Sequence, residues 1–105
     1  MARRATWRIP IRLNVKLNSE GKTCSGIVTN LSEKGMFIST SEIDFRKDSK
    51  FDISIPVEDR MLRVPGKIIR VAEAEIHGGC EGIGVELQDP PKKYLDFVEN
   101  LLFVL

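Results

Sequence analysis

The sequence predicts an all-β, mainly antiparallel domain, a small barrel followed by one C-terminal helix. Two observations carry this prediction. Between residues 9 and 87, short apolar segments alternate with polar residues at a period of two, and clusters of Gly, Pro, Asn and Asp separate them. After residue 90, apolar residues recur at helical spacing instead. A chain of 105 residues is long enough for one domain with its own hydrophobic core.

The first two predicted strands form a pair. Residues 9–17 alternate strictly between apolar and polar side chains, which is typical of a half-buried strand. Residues 18–22 form a turn, and residues 23–31 return as the second strand. Gly26 within that strand indicates a bulge or the close approach of another backbone.

Four further strands are predicted over residues 36–40, 51–55, 60–72 and 82–87. We expect Pro56 to stop the fourth strand, because proline cannot donate to a β ladder. In the fifth, the inward phase switches toward Ile69 and Val71, which indicates a bulge at Pro65-Gly66. The glycines of the sixth, Gly82-Ile83-Gly84, leave one of its faces bare.

Asp89-Pro90-Pro91 ends the β region and begins a helix over about residues 90–105. Asp89 is the expected N-cap, and proline suits the first helical turn. The helix carries a wide apolar face, made of Leu95, Val98, Leu102 and Leu105 with Tyr94, Phe97 and Leu101 beside them. Such a face predicts docking on the sheet, and the alternative is a helix shared with a second subunit in a weak homodimer.

Composition limits the possible functions. The formal net charge of +1 argues against a broad nucleic-acid or membrane footprint. The longest apolar run is far shorter than a membrane span, and no secretory signal is visible, so we expect a cytoplasmic protein. Cys24 and Cys80 are too few for a thiolate metal site, and we expect both to be reduced.

Catalysis is the least supported class of function. His77 is the only histidine and lies beside Gly78-Gly79, where a loop residue is the simpler interpretation. The sequence contains no zinc-protease motif, phosphate-binding loop or nucleophile elbow. We therefore expect no enzyme activity, no metal and no cofactor.

Two polar segments stand out from this background. Arg3, Arg4 and Arg8 lie in a stretch that contains no acidic residue, and arginine forks suit phosphate oxygens and guanine edges. The other segment, Asn30 to Gly35, ends one strand and begins the next. Taken singly, the first is an ordinary solvated tail and the second an ordinary turn. Trp7 is either a hydrophobic clamp or a stacking surface.

Together these segments resemble the paired signature of PilZ domains, RxxxR followed some twenty-odd residues later by (D/N)xSxxG. Residues 4–8 match the first half, residues 9–29 make up the gap, and Asn30-Leu31-Ser32-Glu33-Lys34-Gly35 matches the second half. The strand that contains Gly82-Ile83-Gly84 and the helix after Pro90-Pro91 also resemble the end of that family's fold. The likeness covers nearly the whole chain and implies a six-stranded PilZ-type β-barrel that binds the bacterial second messenger cyclic di-GMP.

The resemblance also implies roles for individual residues. Arg4 and Arg8 would hold phosphates and the Hoogsteen edge of guanine, and Arg3 would add a contact or favour a stacked ligand dimer. Asn30 would read a guanine edge. Ser32 would contact polar groups of the ligand, and Gly35 would keep the turn open.

The resulting hypothesis is a non-enzymatic cyclic di-GMP receptor. Residues 1–8 form a flexible switch that closes over the barrel domain of residues 9–105 when the ligand arrives, and so regulates an unidentified partner protein. The main alternative is a ligand-independent adaptor of the same fold that binds proteins through the helix at 94–105. A third possibility, an oligonucleotide-binding barrel, fits poorly with the near-zero net charge.

Overall fold

The computed structural model describes residues 8–40, 46–73 and 80–104. Within these ranges the elements are β1 (Ile9–Ser19), β2 (Lys22–Leu31), β3 (Gly35–Ser39), β4 (Lys50–Val57), β5 (Arg60–Glu73), β6 (Cys80–Leu87) and α1 (Lys92–Val104). The strands pair antiparallel and close into a barrel in the order β1-β2-β3-β6-β5-β4. The predicted fold class, a six-stranded antiparallel barrel with a C-terminal helix, is confirmed.

The period-two pattern of the strands places one face of each in a shared core. Val28 on β2, Ile53 on β4 and Ile83 on β6 are completely buried, and the matching inward residues of the other strands are buried to within a few per cent. Tyr94 and Val98 of α1 belong to the same apolar cluster. The helix therefore packs on the barrel, as its apolar face predicted.

A bulge near the end of β2 sets which of its residues face outward. Val28 pairs with Ile38 and Asn30 pairs with Phe37, so β2 has one residue more than β3 across this step. Val28 and Leu31 are both fully buried although they are three residues apart. The bulge accommodates this odd spacing and leaves the half-buried Asn30 opposite Phe37.

The expectation that Pro56 stops β4 is wrong. Pro56 pairs with Met61 of β5, and β4 continues to Val57. Proline is tolerated here because the pairing of β4 with β1 covers only residues 52–54, which leaves this end of β4 paired on one side.

The predicted bulge of β5 exists but was placed too early, and beyond it the inward phase switches to Val71 as predicted. Pro65 and Gly66 pair in regular register with β4, and the inward phase continues to the fully buried Ile68. Ile69 is 45% exposed. The bulge of β5 lies later than predicted, between Ile68 and Arg70 in the pairing with β6.

Asp89 is not the N-cap of α1. The carbonyl of Pro91 accepts from the backbone N–H groups of Tyr94 at 2.9 Å and Leu95 at 3.2 Å, which makes Pro91 the capping position. Asp89 has a φ of 55°, in the left-handed region. A residue that precedes proline avoids the helical region, so Pro91 keeps Pro90 out of the helix and delays its start.

The buried face of α1 is centred on Tyr94 and Val98, whereas Leu102 is 41% exposed and Phe103 is 90% exposed. The Tyr94 hydroxyl donates to the backbone carbonyl of Ser32, in the turn between β2 and β3, at 2.7 Å. This bond ties the helix to the turn.

Burial raises the pKa of Tyr94 well above its ordinary value, because the phenolate would lose its hydration. The positive charge of Arg8 lowers this pKa, and the negative charge of Glu33 raises it. The net shift is upward, so the folded protein keeps the neutral phenol.

Gly35 is required for space and not for an unusual backbone angle. Among the glycines of the described ranges, Gly21 has a positive φ and Gly35 does not. A Cβ at position 35 would lie 2.5 Å from the carbonyl oxygen of Val85 on β6. The start of β3 therefore approaches β6 as closely as only glycine permits.

Gly35→Ala should consequently destabilise the barrel by about 1–3 kcal/mol, since two backbones must move apart to admit the methyl group. Gly84→Ala is the matched control, because its Cβ would meet Arg70 Cβ at an ordinary 3.5 Å. Urea unfolding of both variants measures the difference. Equal free energies of unfolding for the two variants would contradict the close approach.

The raised pKa of Tyr94 predicts a loss of stability at alkaline pH. Tyr94 ionises near pH 10 in the unfolded chain and at higher pH in the folded one, so its contribution is complete below about pH 10 and falls as pH rises toward the folded pKa. Urea unfolding across this window should show the free energy of the wild type falling relative to Tyr94→Phe, by up to about 1.4 kcal/mol per pH unit.

Tyr94 is the only tyrosine in the chain, so the phenolate absorbance reports this group alone. In the folded protein the absorbance should rise at higher pH than in the urea-unfolded protein. Stability curves that stay parallel for the wild type and Tyr94→Phe, with identical absorbance titrations, would refute the assignment.

Candidate cyclic di-GMP site

The fold brings together one residue from each of the two sequence segments singled out above. Arg8 lies just before β1, and Asn30 lies near the end of β2, where it pairs with Pro10. Arg8 Nη1 donates to Asn30 Oδ1 at 2.9 Å, across 22 positions of sequence. Arg8 is exposed and Asn30 half-buried, so both polar groups lie at the outer surface of the barrel. Arg3 and Arg4 lie outside the described residues.

Ser32 is buried and organises the turn from residue 32 to residue 35. Its backbone N–H donates to the Gly35 carbonyl at 2.8 Å, and its Oγ accepts from the N–H groups of Lys34 and Gly35 at 3.2 Å each. The Lys34 carbonyl in turn accepts from the N–H of Leu87 at 2.8 Å. The hydroxyl of Ser32 is thus engaged within the turn, and the ligand contact expected of it stays a prediction.

An aromatic ring and a guanidinium group form a patch next to Asn30, on the side of the sheet made by β3, β6 and β5. Phe37 pairs with Asn30 on β2 and with Gly84 on β6, and Gly84 pairs with Arg70 on β5. The Arg70 guanidinium lies 5.5 Å from the centroid of the Phe37 ring, within range of a cation–π interaction. We call Phe37, Gly84 and Arg70 the Phe37 patch.

Glycines of β6 make room for this patch. A Cβ at Gly82 would lie 2.5 Å from the Phe37 ring, so the ring occupies the space that a larger residue would fill. Sequence reasoning singled out these glycines as leaving a bare face but did not identify Phe37 or Arg70. The glycine spacing of β6 was the available signal. Phe37 and Arg70 lie on two other strands, and the sequence does not show that these strands are neighbours.

The charges around the site favour an anionic or strongly polar ligand. Arg8 and Arg70 are both exposed, and their guanidinium groups offer several donors each. Glu33, also exposed, is the acidic residue of the turn. Within the described ranges, no group of three or more His, Cys, Asp or Glu side chains is arranged to hold a metal ion.

Comparison with known families identifies the fold. A model of the PilZ domain family matches residues 2–104, almost the whole chain. No curated protein matches the chain. No helix in the described part of the chain has the length and apolar character needed to cross a membrane.

Solved structures agree with this assignment at the level of the fold. The PilZ domain of YcgR from Escherichia coli, solved with c-di-GMP, matches at a TM-score of 0.74 with 13% identity, over 99% of this chain and 92% of that one. The PilZ domain of CeSA from a cellulose-synthesizing bacterium matches at 0.69 with 19% identity, over 93% and 96%.

A longer protein matches as well. The Bacillus subtilis inhibitor of motility (MotI/DgrA) aligns at a TM-score of 0.79 with 13% identity over 97% of this chain, which spans about half (51%) of that protein. The family match and the shared barrel agree with the resemblance seen in the sequence: this chain belongs to the PilZ domain family.

Proposed function

We propose that this domain is a non-enzymatic receptor for cyclic di-GMP. The ligand would bind on the outer surface made by Arg8, Asn30 and the turn of residues 32–35. The observation that carries the proposal is the 2.9 Å hydrogen bond between Arg8 and Asn30, which joins the two halves of the PilZ signature. The family match and the YcgR domain solved with c-di-GMP support it.

The chemistry of the surface suits this ligand. Cyclic di-GMP has two anionic phosphates and two guanine bases, so it requires cationic donors, edge hydrogen bonds and flat stacking surfaces. Arg8 supplies a guanidinium fork, and Asn30 supplies both a donor and an acceptor for a guanine edge. In the proposed complex, a guanine lies against the Phe37 patch, where an aromatic ring and a guanidinium both favour stacking. Ser32 and Gly35 hold the turn in place.

We further propose that residues 1–8 act as the switch, with Arg3 and Arg4 joining Arg8 on the ligand. Ordering a free segment costs about 1–2 kcal/mol per residue in backbone entropy. A charge-assisted hydrogen bond returns about 1.5–3 kcal/mol, so several must form together, as two phosphates allow. Closure of this segment over the barrel of residues 9–105 would change the surface that a partner protein meets. A cytoplasmic site of action follows from the ligand, an intracellular messenger.

Arg8→Ala should raise the Kd for cyclic di-GMP at least about tenfold and abolish measurable heats in titration calorimetry, because it removes charge-assisted bonds worth about 1.5–3 kcal/mol. Arg12→Ala is the matched control: it removes the same charge from an exposed position on β1 and should bind normally. Arg8→Lys keeps the charge but loses the planar fork, so an intermediate affinity is expected.

Equal affinity of Arg8→Ala and the wild type would overturn the site. Titrations with GTP and cyclic di-AMP test the specificity for guanine and for the cyclic dinucleotide. Absence of binding by the wild type would overturn the receptor function as a whole.

One observation favours the alternative, a ligand-independent adaptor. Phe103 is 90% exposed and the neighbouring Leu102 is 41% exposed, both on α1. An apolar helix end of this kind suits contact with another protein or with a second copy in a weak homodimer. Concentration-dependent sedimentation that is lost in Phe103→Ser and unaffected by cyclic di-GMP would support this function over the first.

A further inference from the structure

The hydrogen bond between Tyr94 and Ser32 joins residues 62 positions apart at the edge of the proposed site. Tyr94 is completely buried, and Ser32 is only 5% exposed. Water therefore has little access to replace the bond. Without the phenol hydroxyl, the Ser32 carbonyl would be a buried acceptor that has lost this donor.

Ser32 is the residue on which the turn is built. Its N–H and its Oγ bond the backbone of Lys34 and Gly35, so its carbonyl is the remaining polar group of this residue, and Tyr94 engages it. With all three groups bonded, the peptide planes on both sides of Ser32 are fixed in orientation. Asn30 lies two residues before Ser32 in the sequence, and Glu33 follows Ser32 directly.

The charged residues near the phenol also connect the helix with the proposed site. Arg8 lowers and Glu33 raises the pKa of Tyr94, so both charges lie near the phenol. Arg8 is also the donor to Asn30. The helix thus contacts the turn close to the cationic residue of the proposed site.

We propose that Tyr94 is a positioning residue of the ligand site, which holds the Ser32 turn in the geometry that cyclic di-GMP requires and couples the site to the docking of α1. This inference rests on the proposed function for its ligand. Coupling is reciprocal: if the docked helix increases affinity for the ligand by some factor, the ligand stabilises the docked helix by the same factor. Ligand binding at the site would then stabilise the docked position of α1, whose exposed end carries Phe103.

Tyr94→Phe is the sharpest test, because it removes the hydroxyl and retains the ring that packs in the core. Amide hydrogen exchange in the absence of ligand should be at least about tenfold faster at Lys34 and Gly35, the donors to Ser32 Oγ. Ile55→Val is the control for a general loss of stability, since Ile55 is fully buried on β4, which pairs with neither β2 nor β3. It should leave exchange in the turn close to that of the wild type.

The ligand provides the second measurement. The Kd for cyclic di-GMP should rise about tenfold in Tyr94→Phe and stay within about twofold in Ile55→Val. In the wild type, saturating cyclic di-GMP should slow amide exchange in the first turns of α1, and this slowing should be lost in Tyr94→Phe.

The outcomes separate the two proposals. Unchanged exchange in the turn of Tyr94→Phe, or a Kd that changes equally in both variants, would overturn the positioning role. Failure of the wild type to bind cyclic di-GMP would overturn the proposed function and, with it, the ligand coupling, while faster exchange in Tyr94→Phe would still establish that the phenol holds the turn.

Discussion

The turn of residues 32–35 depends on the hydrogen bonds of a single buried residue, Ser32. Its N–H, hydroxyl and carbonyl bond the turn to itself and to α1, and the next residues of the turn bond β6 through the N–H of Leu87. Each such bond adds only about 1 kcal/mol net, but a buried group that loses its partner costs about 1–3 kcal/mol. The turn is therefore held less by the strength of any one bond than by the cost of breaking one without replacement.

Local pattern predicted the parts of the fold that depend on neighbours in sequence. Alternation along residues 9–17 and 23–31 was sufficient for β1 and β2, because one face of each is buried and the period of a strand is two. The signature residues Arg8 and Asn30 were identified by their resemblance to the PilZ signature. The β1–β2 hairpin then returns the chain to its starting end and brings them together. The contact between them follows from that return.

The failures have a common origin in pairing that the sequence does not display. Pro56 is tolerated in β4 because β1 pairs with only part of that strand, and Ile69 is exposed because the bulge of β5 lies at this residue, between Ile68 and Arg70. Aspartate is favoured at the N-cap of a helix, but Asp89 precedes two prolines that delay the start of α1. Phe37 and Arg70 were missed because they meet only through the pairing of three strands that are distant in sequence.

The filled interior of the barrel is consistent with a proposed site on its outer surface. About eight strands give a barrel whose interior is just filled by side chains, and this one has six, with Val28, Ile53 and Ile83 completely buried inside it. The proposed dinucleotide ligand would therefore bind on the outer face, where Gly82 allows Phe37 to lie close to the sheet and Arg70 lies against its ring. An open sheet surface contacts only one side of such a ligand. In the proposed complex, Arg3 and Arg4, which precede Arg8 in the sequence, would cover the other side.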